Sequence, residues 1–251
     1  MESFSSTILV AGTTGYLTST LGILTGLFLS FFMKECGKKF RGTALGFIGG
    51  LMLAVVCFDL LPETFETGNV YVSALGLTFG AAMALLLEDK LDHDNMPGFN
   101  INSNRYFKAA LFMAIGIGLH NFPSGIALGS LNSSAPLKEL HLATALIMHS
   151  IPEGLTLGIF LRESKAGLFS YILISVLTSI PMGLGAIIGS YIIGISPVVI
   201  CISLALAGGM ILYIIYHETL PESREIWNGR LCSFSNVAGM AAGVLLNSTF
   251  H

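Results

Sequence analysis

Gly49-Gly-Leu-Met-Leu-Ala-Val-Val-Cys-Phe-Asp59-Leu-Leu-Pro-Glu63-Thr is echoed by Gly208-Gly-Met-Ile-Leu-Tyr-Ile-Ile-Tyr-His217-Glu218-Thr-Leu-Pro-Glu222-Ser. The two stretches share the double glycine, an acid at the eleventh position and the closing Leu-Pro-Glu. Both lie in long apolar segments of a chain that is apolar almost throughout. Charged residues make up 11% of its 251 residues, against about 25% in a soluble domain, and the mean hydropathy is +0.77. Too little polar surface exists to cover a soluble globule of this size, so the bilayer is the expected solvent.

A spanning helix needs roughly 20 mostly apolar residues. Eight segments qualify: Thr7–Met33, Thr43–Leu61, Asn69–Glu88, Arg105–Gly129, Lys138–Leu161, Leu168–Ile193, Pro197–Leu220 and Cys232–Thr249. The last is the most polar at its start, with Ser233, Ser235 and Asn236. Lys34, Lys38, Lys39 and Arg41 follow the first segment. Lys90, Arg105 and Lys108 follow the third, Arg162 and Lys165 the fifth, Arg224 and Arg230 the seventh; Lys138 alone falls on the other side. This asymmetry predicts that those four loops are cytoplasmic and that both termini are extracytoplasmic. The segment before Met33 lacks a basic start and reads as a retained helix rather than a cleavable signal peptide.

With that topology the second segment runs outward and the seventh inward, so the echoed pattern is an inverted repeat. The expected fold is an all-α membrane protein of eight transmembrane helices in a 3+2+3 arrangement. Helices 1–3 and 6–8 are inverted repeats around helices 4–5. The chain is one transmembrane domain over 1–251: a first three-helix repeat at 1–89, a cytoplasmic loop at 90–104, a central pair at 105–161 and a second repeat at 162–251.

The central pair carries His120-Asn-Phe-Pro-Ser124-Gly and His149-Ser-Ile-Pro-Glu153-Gly. Positions i and i+4 share a helix face, which pairs His120 with Ser124 and His149 with Glu153. Pro123 and Pro152 each remove a backbone donor and free a carbonyl one turn earlier. Ionisable groups at membrane depth are costly and mark sites or pathways. Imidazole with carboxylate suits zinc and neighbouring divalent ions, and a cation is the expected partner for a buried Glu153. Cys36, Cys57, Cys201 and Cys232 show no CxxC spacing, which argues against a disulfide framework or zinc ribbon. A net charge of −3 argues against a nucleic-acid partner.

With these residues in place the chain resembles the ZIP (Zrt-, Irt-like) family of divalent metal transporters, most closely its GufA-like bacterial members. The resemblance implies that His120, Asn121, His149 and Glu153 belong to the transport site and that Met52 reaches it as a thioether ligand. Many family members have an acid where this chain has Ser124, and some have a glutamate that aligns with Met182. Glu153 is then the one central carboxylate, and a second divalent ion beside the first would be repelled at low dielectric. One central metal is predicted, with Asn121, Met52, Ser124 or water as a fourth ligand.

Asp59 and Glu63 on one side, and His217, Glu218 and Glu222 on the other, are candidate pathway groups. His93, in the acidic stretch that begins at Glu88, reads as solvated and His141 as surface or interfacial, while His251 carries no inference. The expected activity is divalent metal transport toward the cytoplasm, zinc foremost with Fe2+, Mn2+, Co2+ and Cd2+ as other substrates. No catalytic cofactor is implied. No P-loop pattern is present, so the carrier is secondary or passive. The bilayer and the ions are the partners; a homodimer is compatible with this. The rival readings are a zinc-dependent intramembrane hydrolase, although HExxH is absent, and a membrane metal sensor that moves no ion.

Overall fold

The structure is a computed structural model that describes residues 2–33, 36–93, 105–131, 136–191 and 197–250. Within these, the side chains of 2–7, 59, 63, 67, 91–93, 136, 138, 197, 199, 200, 247, 249 and 250 are outside the described set. The described residues form helices and the turns between some of them, with no strand among them. In order these are α1 (Glu2–Phe32), α2 (Lys38–Val55), α3 (Leu61–Thr67), α4 (Val70–His93), α5 (Arg105–Leu131) and α6 (Pro136–Glu163). They continue as α7 (Leu168–Tyr191), α8 (Pro197–Ile214), α9 (Leu220–Ile226) and α10 (Arg230–Phe250).

Seven candidate spans among the described residues are long and apolar enough to cross a membrane. The eighth expected segment forms as α10, 21 residues long, and its apolar stretch among the residues with described side chains is Arg230–Leu246. Ser235 and Asn236 lower its apolarity, yet they are satisfied inside the protein. Ser235 Oγ donates to the Cys232 carbonyl at 2.9 Å, and Asn236 Nδ2 to the Gly46 carbonyl of α2 at 3.2 Å.

The second and seventh segments run further than expected. α2 passes into α3, and α8 into α9, through π-helical turns at Val56–Leu60 and Ile215–Thr219. Each turn is followed by Pro62 or Pro221 at the second position of the next helix. A proline ring presses on the carbonyl one turn back and offers no N–H, and widening that turn accommodates both. Adding 159 to Val56 and Leu60 gives Ile215 and Thr219, so the two turns occupy equivalent positions of the echoed pattern.

The same increment governs packing. Gly50 lies against the Asn236 carbonyl and Gly239 against that of Phe47, closing α2 on α10. Gly209 lies against the Leu77 carbonyl and Gly80 against that of Leu206, closing α8 on α4. Adding 159 carries 50, 47, 77 and 80 onto 209, 206, 236 and 239. In the centre, Gly125 meets the Met182 carbonyl and Gly185 that of Phe122; Gly154 meets that of Ile23 and Gly26 that of Ile151. Here α1 maps onto α7 by the same 159, while α5 maps onto α6 by 29, the spacing from His120 to His149. Only glycine permits backbones to approach this closely.

The basic residues gather at one end. Arg41 pairs with Glu163, Arg162 Nη1 donates to the Ser30 carbonyl at 2.7 Å, and Arg105 contacts Glu222 and Glu225. These bonds tie together the end of α1, the starts of α2 and α5, and the ends of α6 and α9. α5 is the most enclosed span and α4 the least.

Candidate metal centre

α5 and α6 remain helical through Pro123 and Pro152, which sets His120 and His149 opposite each other. Their Nε2 atoms are 3.1 Å apart with the rings tilted at 48°. His149 Nε2 is 3.3 Å from Glu153 Oε1, one turn along the same face. Two ligands of a tetrahedral zinc, bonded at about 2.0–2.1 Å, stand about 3.3 Å apart. Both separations match that figure. The three groups' donor atoms all lie within 4.8 Å of one another.

Glu153 is 1% exposed, and neither carboxylate oxygen has a hydrogen-bond donor among the described residues. A carboxylate so placed is strongly destabilising unless it is paired. His120 Nδ1 is likewise buried without a partner. A divalent cation between the imidazoles and Glu153 would compensate the anion and use both Nε2 lone pairs.

Met52 is buried beside this group. It lines a small cleft with Leu51, Val55, Val56, His149, Pro152, Glu153 and Ile211. Along α2, the step from Met52 to Val56 leads away from the basic end. Asn121 and Ser124 are buried but absent from that lining. Asn121 Nδ2 donates to Ser19 Oγ at 3.1 Å and to the Thr178 carbonyl at 2.9 Å, bracing α5 on α1 and α7. Ser19 and Thr178 are themselves 159 apart, the increment seen at the π turns and glycine contacts. Met182 is fully buried.

A second cluster sits nearer the basic end. His217 Nδ1 is 3.2 Å from Glu88 Oε2 and 3.9 Å from Glu218 Oε1, and the three groups offer ligand atoms within 4.8 Å. Tyr213 Oη donates to Glu88 Oε2 at 2.7 Å. The sequence reading missed Glu88 as a partner of His217 because it merges with the acidic stretch that follows. Its signal was position: it ends an apolar run at the depth where His217 ends another. Glu222 stands apart from this cluster, buried and paired with Arg105 Nη2 at 3.1 Å. The Asp59, Glu63 and His93 side chains, and His251, lie outside the described residues. His141 is exposed on α6.

Comparison with known proteins gives one consistent answer. The family model described as ZIP Zinc transporter matches residues 88–250. The zinc transporter ZupT of Akkermansia muciniphila is 30% identical, aligned over 92% of this chain and 93% of its own. ZupT of Chlorobium phaeovibrioides is 31% identical over 91% and 94%, and the zinc transporter GufA of Myxococcus xanthus is 33% identical over 86% and 87%.

Proposed function

This chain belongs to the ZIP family of zinc transporters, and we propose that it carries one divalent metal ion at a time past His120, His149 and Glu153. The observation that carries the assignment is the pair of separations, 3.1 Å between the imidazole nitrogens and 3.3 Å to the buried carboxylate. Zinc fits the donor set best; Fe2+, Mn2+, Co2+ and Cd2+ are the other substrates expected. Met52, at the cleft, is the soft ligand on the approach, while Asn121 and Ser124 complete the surroundings of the ion.

The chain works as a single transmembrane domain of eight helices, with α10 as the last. α1–α4 and α7–α10 form inverted three-helix repeats around α5 and α6. Support comes from the common increment of 159 at the π turns and glycine contacts. The basic end is cytoplasmic by its charge, both termini are extracytoplasmic, and transport runs toward the cytoplasm. An ion enters through the cleft past Asp59 and Glu63, occupies the centre and leaves by Glu88, His217 and Glu218. Glu222, held by Arg105, ties α9 to α5 beside that exit. Transport is favoured over a hydrolase: the single central carboxylate faces a histidine as a ligand would, leaving no second acid to act as a base.

Uptake of zinc by proteoliposomes tests this directly, comparing the native protein with His149→Ala and Glu153→Gln. Both variants are expected to lose uptake. Equal uptake by all three would remove the assigned centre, and zinc bound without accumulating inside sealed vesicles would mean a sensor.

A further inference from the structure

The correspondence between the two halves breaks on either side of the histidine pair. Toward the basic end α5 is sealed on α8. Met113, Ile117, Met210 and Ile214 are buried in one cluster, and Ile214 fills the notch at Gly116, where any side chain would overlap its Cδ1. The equivalent helices on the far side, α6 and α2, touch far less. Their equivalent residues Leu142, Leu146, Leu51 and Val55 are half-buried, and Leu51 and Val55 line the small cleft.

Adding 29 to Gly116 gives Ala145, and subtracting 159 from Ile214 gives Val55. Glycine with isoleucine and alanine with valine carry the same number of side-chain carbons. One methyl-sized group has moved across the contact, and the volume to be filled is unchanged. Packed contacts tolerate volume-conserving exchanges and resist others. Each notch residue lies four positions before its histidine, Gly116 before His120 and Ala145 before His149, so the two seats flank the ion from opposite sides.

We propose that Val55 seats on Ala145 in the opposite state of the cycle, closing the cleft as Ile214 on Gly116 closes the basic end. The proposal rests on the transport reading above and names the residues that perform its access step. When Val55 is seated, Ile214 leaves Gly116. With both seats filled the ion is enclosed by apolar side chains; with both empty the protein would leak.

A double-cysteine variant, Val55→Cys with Ala145→Cys, tests the contact in a Cys57→Ser background that leaves no native thiol beside it on α2. Thiols at a filled seat come within disulfide reach. In proteoliposomes taking up zinc, an oxidant is expected to join the two cysteines and stop uptake, and a reductant to restore it. Adding Gly116→Ala overfills the other seat and should raise the cross-linking rate about tenfold by shifting the population. Adding Ile214→Val as well restores that seat's volume and should return the rate to its starting value. Protein that takes up zinc but does not cross-link, or cross-links at a rate indifferent to Gly116→Ala, overturns the proposal and leaves the central site standing. Uptake unaffected by His149→Ala and Glu153→Gln instead overturns the transport reading.

Discussion

The Tyr213 hydroxyl donates to Glu88 Oε2 at 2.7 Å while its ring stacks on His217, with centroids 5.2 Å apart. One side chain on α8 thus holds two members of the cluster near the basic end in a fixed relation. Tyr213→Phe keeps the stack and removes the bond. A hydrogen bond to a charged group is worth about 1.5–3 kcal/mol, so Cd2+ binding at this cluster should weaken about tenfold or more. Equilibrium dialysis in a His149→Ala background reads it; unchanged binding would show that Glu88 is held by other contacts.

Glu153→Gln should act on stability with opposite signs in two conditions. Without metal, replacing a buried carboxylate that has no donor by a neutral amide relieves an uncompensated charge, so the melting temperature in detergent should rise. With zinc, the native protein gains about 2.7 kcal/mol at a hundredfold excess over Kd, and the variant should gain little. A variant melting below the native protein without metal would mean that the contact with His149 already compensates the charge of Glu153.

Metal stoichiometry should separate the two clusters. Native protein is expected to hold one ion at the centre and one at Glu88, His217 and Glu218. Combining Glu88→Gln with His217→Ala should leave one, and adding His149→Ala and Glu153→Gln should leave none, as read by zinc content after gel filtration. Two ions remaining in the first variant would disprove the single central site.

Gly50→Val and Gly209→Val should be equally damaging, because each drives a side chain into a carbonyl of a facing helix, Asn236 or Leu77. Overpacking of this kind costs about 1–3 kcal/mol or more. Gly167→Ala, with nothing within 4 Å of an added Cβ, should stay within about 0.5 kcal/mol. Thermal unfolding in detergent compares them, and a tolerated Gly209→Val beside a damaging Gly50→Val would contradict the shared packing register.

The echo between Gly49–Thr64 and Gly208–Ser223 was legible because Leu-Pro-Glu and Gly-Gly survive as letters. The correspondence of α1 with α7 was not, because it survives as register: Ile23 and Met182 share no chemistry and both meet a glycine through a carbonyl. The histidine pair was legible from its proline spacing, since a helix with a fixed rise carries that spacing into three dimensions. The bracing of Ser19 and Thr178 by the Asn121 amide nitrogen was not legible; sequence gives a residue's face but not which way an amide turns. The pairing of Glu88 with His217 was not legible because partnership between α4 and α8 depends on non-local packing. The polar start of the eighth segment was legible, but not where Asn236 finds its partner, the Gly46 carbonyl of α2, because that contact is non-local.

The interlocking of α4 with α8 and of α2 with α10 bears on how the chain is made. A ribosome delivers the first half with the backbone notches at Gly50 and Gly80 facing lipid, their proper neighbours not yet synthesised. Those grooves stay open until α8 and α10 arrive, so neither half of the protein can finish packing in the membrane without the other.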